Sequence, residues 1–273
     1  MKLEKQATEI SVGKERRKYV VGLLIAIVAV NGFLALVTDS DISFVFYDLV
    51  RLAIVGGATM LSLIVFAKQG YKGLFGRAYT ALAAGLIMYL AAEATWSYYE
   101  IVLNEESPFP SLADAFYLAG YAGFGYHQFS LYKFYGKGIK KFAYYVVIPS
   151  VTILAYLYLQ SLVSLYDLTN QEDLLPVALS VTYPLLDSVI FIPAILIILN
   201  SWKGQLTFIP WVFVSWVLSG TADILFGYSS VPEFEWIFPA VTMIYNAAYL
   251  CMATGLLWYL GFFLSEKRKV LRS

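Results

Sequence analysis

Five ionisable side chains lie inside long apolar stretches of the sequence, and they are Arg51, Glu93, Asp114, Asp187 and Asp223. Ionisable groups are costly within a membrane, so they usually face a partner, a cavity or the interior of a helix bundle. Four acids share one base here, so some carboxyl groups must be protonated, solvated or bound to a cation. The set fits a polar cavity that binds a ligand or an ion. It also fits a structural arrangement in which Arg51 neutralises one or two acids and the others reach the outer water.

Tyrosine residues recur at helical spacing near these charges. Their rings and hydroxyls suit the wall of a ligand pocket, but the hydroxyls are equally suited to donate hydrogen bonds to the buried carboxylates, and both alternatives stay open. The candidate pocket residues are Arg51, Glu93, Asp114, Tyr117, Tyr121, Asp187, Asp223, Tyr245 and Tyr249.

The sequence gives little indication of a metal site or of a catalytic nucleophile. The chain has one histidine, His127, and one cysteine, Cys251, so a Cys- or His-based metal site is not expected. It has no glycine-rich phosphate loop and no serine nucleophile elbow. We therefore expect no catalytic residue, no bound metal and no cofactor. We expect His127 to hydrogen-bond a neighbouring helix and Cys251 to pack as an apolar residue.

The elements that must position these residues are membrane helices. Apolar residues make up 60% of the chain and charged residues 14%, against about 45–50% and about 25% in soluble domains. This composition excludes a soluble globular enzyme, a disordered chain and a nucleic-acid binder. A spanning helix needs roughly 20 apolar residues, and eight stretches qualify: 19–37, 44–67, 78–99, 112–132, 142–163, 176–199, 206–228 and 236–264. The sequence thus predicts an all-α, polytopic protein with eight transmembrane helices.

The basic residues indicate the orientation of these helices. Of the 19 Lys and Arg residues, 18 fall in the two tails or in the even-numbered connections between predicted spans, and the opposite connections hold only acids. Basic connections stay in the cytoplasm. We expect a multi-pass protein of the cell membrane with an uncleaved first span and cytoplasmic basic tails at 1–18 and 265–273. The lipid bilayer is its first partner.

Three short matches in the same order predict an internal repeat, with halves 19–135 and 142–264 running parallel. They pair Tyr47–Arg51 with Tyr183–Asp187, Glu93–Tyr98 with Asp223–Tyr228, and Tyr117–Tyr121 with Tyr245–Tyr249. Parallel repeats are related by an axis along the membrane normal. From this alignment we expect Arg51 to reach Asp187 across the axis, directly or through one water, with Glu93 or Asp223 as second neighbour. The alternative is that Arg51 turns toward Asp48 or the lipid phosphates.

One stretch carries a resemblance. The residues Pro110-Ser111-Leu112-Ala113-Asp114, followed by Tyr117 and Tyr121, resemble the Pro-Ser-x-Ala-Asp-x-x-Tyr-x-x-x-Tyr motif in multi-span input regions of prokaryotic sensor histidine kinases and diguanylate cyclases. Asp187 and Asp223, with the residues around them, are similar to the rest of such regions. The resemblance implies an eight-helix sensory module. Because the chain ends just after its last span, we expect it to signal through a separate partner protein.

Three functions remain open on the sequence. The first is a non-enzymatic sensor-like or accessory membrane subunit with an outward-facing polar and aromatic pocket. The second is a transporter of a small solute or ion that uses the buried acids and a sixth span kinked at Pro184 and Pro193. The third and weakest is an intramembrane lipid-modifying enzyme, for which only carboxyl groups are available.

The distribution of basic residues gives a testable topology. A reporter fused after Ser273 should be active in the cytoplasm, and a cysteine introduced at Ser107 should react with an impermeant thiol reagent only from outside, because positively charged connections are retained inside. Labelling of residue 107 from the cytoplasmic side would overturn the orientation.

Overall fold

The described chain is helical throughout its regular structure. A computed structural model describes residues 2–37, 43–105, 109–164, 174–200, 210–229 and 232–263, and no strand occurs in these ranges. The helices are α1 (Lys2–Val37), α2 (Ser43–Gln69), α3 (Gly73–Val102), α4 (Leu112–Tyr135), α5 (Lys141–Val163), α6 (Leu174–Asn200), α7 (Pro210–Ser229) and α8 (Phe238–Trp258). A 3₁₀ turn at Pro232–Ile237 precedes α8, and a π-helical turn at Tyr259–Phe263 follows it.

Within the described ranges, seven helices are long and apolar enough to cross a membrane. This agrees with the predicted all-α, polytopic membrane protein. Helix α4 is the exception among the eight predicted spans. It carries five tyrosines together with His127 and Gln128, and these polar groups lower its hydropathy. The helix α1 begins at Lys2, so the segment predicted as a basic tail at 1–18 starts as helix, and the apolar part of α1 covers Arg17–Val37.

The peripheral helices expose apolar side chains to their surroundings. In α1, Ile25 and Val28 are exposed, and in α5 Ile153 and Leu154 are exposed. Continuous apolar surfaces of this kind are not stable in water, so these two helices are suited to face lipid.

Tight helix pairs build the centre of the bundle. Helix α3 packs most extensively against α4, and α7 packs most extensively against α8. Glycines permit the close approach of α3 and α4: a Cβ at Gly123 would lie 2.5 Å from the carbonyl oxygen of Ala81, and Gly120 faces the ring of Tyr89. The two helices therefore run antiparallel in contact along their length.

A packed apolar core fills the half of the bundle from which the basic connections leave. Leu82 and Leu86 of α3 meet Phe124 of α4, Trp216 of α7 and Leu256 of α8 there. The rings of Phe124 and Trp216 are 4.5 Å apart between centroids. Large side chains therefore fill much of the described interior of this half.

His127 and Cys251 are buried as the sequence analysis predicted. His127 donates a hydrogen bond from Nδ1 to the carbonyl oxygen of Ala78 on α3, at 3.0 Å. Cys251 lies on the buried side of α8. The hydrogen bond of His127 joins α4 to α3.

The packing of α3 on α4 predicts opposite effects for two neighbouring glycines. Gly123→Ala should lower the free energy of unfolding by about 1–3 kcal/mol, because the added methyl group meets backbone atoms that cannot rotate away. Gly125→Ala, where a Cβ meets nothing within 4 Å, should be neutral or should stabilise the helix by up to about 1 kcal/mol. Denaturation of both variants in detergent micelles measures the difference. Equal stabilities would contradict the described helix contact.

Candidate functional site

A cavity lies at the end of the bundle from which the acidic connections leave. Side chains from every helix between α2 and α8 line it, near the first residues of α2, α4, α6 and α8 and the last residues of α3, α5 and α7. Its free volume is about 740 Å³ when the open solvent at its mouth is included, and the part in which the centre of a water molecule fits is about 60 Å³. The candidate site therefore lies at one end of the bundle, where the ends of seven helices converge.

Aromatic rings form most of the wall of this cavity. The lining contains ten of them: Tyr89, Trp96, Phe109, Tyr117, Tyr158, Tyr183, Phe226, Phe238, Tyr245 and Tyr249. Its charged side chains are Arg51, Glu93, Asp114 and Asp223. Seven of the nine candidate pocket residues thus line the cavity, and the other two, Tyr121 and Asp187, lie directly behind it.

Arg51 belongs to a buried group that we call the arginine cluster, consisting of Asp48, Arg51, Glu93 and Tyr249. The Nη2 of Arg51 donates to Oδ1 of Asp48 at 2.6 Å, and Nε lies 2.8 Å from Oε2 of Glu93. The hydroxyl of Tyr249 donates to Oε1 of Glu93 at 2.8 Å. The guanidinium is thereby engaged by two carboxylates.

The predicted contact between Arg51 and Asp187 is wrong, and the alternative partner Asp48 is the observed one. Asp48 precedes Arg51 by three residues, which places both side chains on one face of α2. Helix α2 packs mainly against α3 and α8, whereas α6 packs mainly against α4, α5 and α7. The guanidinium therefore finds Asp48 and Glu93 before it can reach α6.

Asp187 and Asp223 lie side by side, and we call them the carboxyl pair. The hydroxyl of Tyr121 donates to Oδ1 of Asp187 at 2.7 Å and lies 3.3 Å from Oδ2 of Asp223. The hydroxyl of Tyr245 donates to Oδ1 of Asp223. Among the described residues, no Lys or Arg forms an ion pair with either acid. Gly220 makes this approach of α7 to α6 possible, because a Cβ there would lie 2.8 Å from the Asp187 carboxyl carbon.

Asp114 has a structural partner set. The side chain of Ser111 accepts from the amide of Ala113, and Oδ2 of Asp114 accepts from the amide of Ser111 at 2.7 Å. This reciprocal arrangement is a capping box at the start of α4. The hydroxyl of Tyr183 donates to the other carboxylate oxygen, at 2.7 Å. The spacing of Ser111 and Asp114 is thus explained by a helix N-terminus.

The contacts of the carboxyl pair correspond to those of the arginine cluster under the predicted alignment. Arg51 of α2 meets Glu93 of α3, and at the aligned positions Asp187 of α6 meets Asp223 of α7. Tyr249 of α8 donates to Glu93, and the aligned Tyr121 of α4 donates to Asp187 and reaches Asp223. One set contains a base where the other contains an acid.

Two side chains lie in or beside the site although the sequence did not predict them there. Glu100, assigned to an outer connection, is buried in the last turn of α3 beside Asp48. Ser180 lines the cavity and is 4% exposed. Pro184 lies four residues after Ser180 and has no N–H to donate to its carbonyl, which is the one signal in the sequence that marks this position.

The acids predicted to face the interior do so. Glu93 and Asp114 are buried, and Asp223 is half-buried and lines the cavity.

Comparison of the chain with models of protein families, with curated proteins and with solved structures finds no match. The function is therefore inferred from the geometry and chemistry of the cavity.

The arginine cluster predicts a specific energetic coupling. Arg51→Met should lower the free energy of unfolding by about 3–5 kcal/mol, because buried carboxylates lose their cation. Combining it with Glu93→Gln should recover part of this loss, giving a coupling energy above about 1 kcal/mol.

The matched control combines Arg51→Met with Asp187→Asn. These changes should be additive within about 0.5 kcal/mol, as expected for residues that share no partner. Unfolding in micelles at one pH measures both cycles. Strong coupling between 51 and 187 would reinstate the pair that the structure rejects.

Proposed function

We propose that the protein is a non-enzymatic, sensor-like membrane subunit that binds a small ligand in the cavity and acts through a partner protein. The observation that carries the proposal is the cavity itself, in which aromatic rings surround a few charged groups at one end of an otherwise packed bundle. Ligand sites commonly have this character, with an apolar wall and a small number of placed polar groups.

Eight membrane crossings with both termini in the cytoplasm form part of this proposal. Helix α4 is less apolar than the others, but it packs antiparallel on α3 along its length. Its 24 residues extend about 36 Å at about 1.5 Å per residue. A helix of this length beside a spanning helix crosses the same layer. The cavity then opens outside the cell, at the end opposite the basic connections.

The two parallel halves are likewise proposed, and the helix neighbours support them. The pairs α1–α2, α2–α3 and α3–α4 correspond to α5–α6, α6–α7 and α7–α8, and all six pairs are in contact. One pair of contacts that joins the halves also corresponds, because α2 packs on α8 and α6 packs on α4, whereas the packing of α1 on α8 has no equally extensive counterpart between α5 and α4. Trp96 and the aligned Phe226 meet with ring centroids 5.8 Å apart, as residues near a common axis would.

The packed core favours a sensor over a transporter. A transporter must open its site to both sides, and the half of the bundle beyond the cavity is filled by large side chains such as Phe124 and Trp216. The resemblance to input regions of histidine kinases and diguanylate cyclases gives the same preference. In such an arrangement ligand binding changes helix contacts, and a partner protein responds to the change.

A transporter is the second candidate, and one observation favours it. Asp187 of the carboxyl pair lies at the middle of α6, which contains Pro184 and Pro193. Buried acids beside helix kinks are typical of proton- or ion-coupled carriers.

Access to Ser180 tests the proposal against this alternative. In a Cys251→Ala background, Ser180→Cys should react with a small impermeant thiol reagent from the outer side only. Ser215→Cys, which is buried on α7 away from the cavity, should remain unreactive and serves as the matched control. Labelling of residue 180 from both sides, with solute counterflow in proteoliposomes, would replace the sensor by a transporter. Failure of residue 180 to react from the outer side would remove the outward-facing cavity.

A further inference from the structure

We infer that the ligand of this cavity is an organic cation whose ammonium group sits at Asp223 and whose apolar body lies among the aromatic rings. The inference rests on the proposed function, because it names the chemical class of the ligand that the cavity takes. It follows from the two aligned sets of contacts, the charge of the cavity wall and two buried polar atoms.

One of the two aligned sets of contacts contains a base, Arg51, at the position where the other contains an acid, Asp187. In the arginine cluster, the guanidinium of Arg51 lies 2.8 Å from Glu93 and neutralises it. At the aligned place Asp187 carries a carboxyl group, so Asp223 faces a second acid. Two adjacent carboxyl groups in an apolar interior require a proton or a cation. Asp223 lines the cavity, so a cation that enters from the mouth can reach it.

The other charged groups of the wall do not favour an anion. Arg51 is engaged by Asp48 and Glu93, and Asp114 closes the capping box of α4. Among the described residues, the acids of the wall that have no cationic partner are Asp114 and Asp223, and Asp223 has the second acid Asp187 behind it. An anionic ligand would bring a further negative charge to this place, whereas an ammonium group would compensate the existing one.

Aromatic faces provide the second element of cation recognition. Cations are attracted to the faces of Trp, Tyr and Phe within about 6 Å of the ring centre, and quaternary ammonium ligands are bound in this way. Trp96 and Phe226 line the cavity together and lie one turn from Glu93 and Asp223, respectively. An alkylated ammonium group at Asp223 would therefore be next to aromatic carbon.

Two buried polar atoms near Asp223 have no hydrogen-bond partner within the part of the chain that the structure describes. The hydroxyl of Ser180 lines the cavity, and Oδ2 of Asp187 lies behind it; both residues are about 95% buried. Buried polar atoms are nearly always hydrogen-bonded in folded proteins. The hydroxyl group of such a ligand can pair with Ser180, and its cationic head compensates the charge beside Asp187 without donating a hydrogen bond. Within the described ranges, no group of three or more His, Cys, Asp or Glu side chains is arranged to hold a metal ion, so an organic cation fits better.

A set of matched probes tests the charge requirement. Choline is compared with its neutral isostere, in which a tert-butyl group replaces the trimethylammonium group. It is also compared with an anion, the carboxylate that has the carbon skeleton of this isostere. Tetramethylammonium and benzyltrimethylammonium extend the size range. Binding is measured by titration calorimetry on the full chain in lipid nanodiscs at constant ionic strength. We expect at least one of the three quaternary ammonium ions to bind saturably, with the neutral isostere at least tenfold weaker and the carboxylate not binding.

Variants locate the site. Asp223→Asn should weaken cation binding about tenfold or more, since hydrogen bonds and contacts to charged groups are worth about 1.5–3 kcal/mol. Glu105→Gln, which removes an exposed acid outside the cavity, should leave binding unchanged. If Asp223→Asn does not fold, Phe226→Leu replaces it. This variant removes the ring at nearly constant volume and should weaken the cations but not the neutral isostere.

The outcomes separate this inference from the proposed function. The cationic ligand is overturned if the neutral or the anionic probe binds at least as tightly as the cations. It is also overturned if none of the three cations binds while Ser180→Cys still reacts from outside. Both outcomes leave the outward-facing cavity in place. Unchanged cation binding in both Asp223→Asn and Phe226→Leu also overturns it. No binding together with an unreactive Ser180→Cys overturns both proposals.

Discussion

The burial of carboxyl groups in an apolar bundle is the constraint on which the rest of this structure depends. A carboxylate that leaves water must be matched by a cation, a proton or several hydrogen-bond donors, since otherwise its desolvation exceeds what packing returns. Arg51 meets this requirement for Asp48 and Glu93. Tyrosine hydroxyls contribute one donor to each of the other buried acids on the cavity side, from Tyr121, Tyr183 and Tyr245.

The same constraint divides the bundle into two ends. Acids, hydroxyls and aromatic rings gather where α2, α4, α6 and α8 begin, and the opposite half is filled by a core around Phe124 and Trp216. Polar groups collected at one end leave an open cavity because each must keep its partner distance and orientation, whereas apolar side chains close-pack without directional needs. The asymmetry between the ends supports a site that opens in one direction.

Aligned positions in the two proposed halves have diverged in charge while keeping their contacts. Arg51 with Glu93 forms an ion pair, and Asp187 with Asp223 forms a pair of acids. An acid in place of a base at such a position removes the local positive charge. The two buried carboxyl groups then need a proton or a cation from elsewhere. Asp223 lines the cavity, so this demand can be met by a ligand that enters there, which is why the proposed ligand is cationic.

The sequence by itself determined the membrane character and the helical class, placed the helices to within several residues, and indicated nine residues that line the cavity or lie directly behind it. These follow from composition, from apolar run length and from the cost of placing charge in lipid, all of which are local properties. Which charge meets which was decided only by the tertiary structure. Arg51 and Asp187 are aligned in the proposed repeat, but Arg51 meets acids of α2 and α3, whereas Asp187 meets Asp223 of α7 and the hydroxyl of Tyr121 on α4. The burial of Glu100 and Ser180 depended likewise on helix packing, because a residue near a helix end is buried or exposed according to what packs beside it.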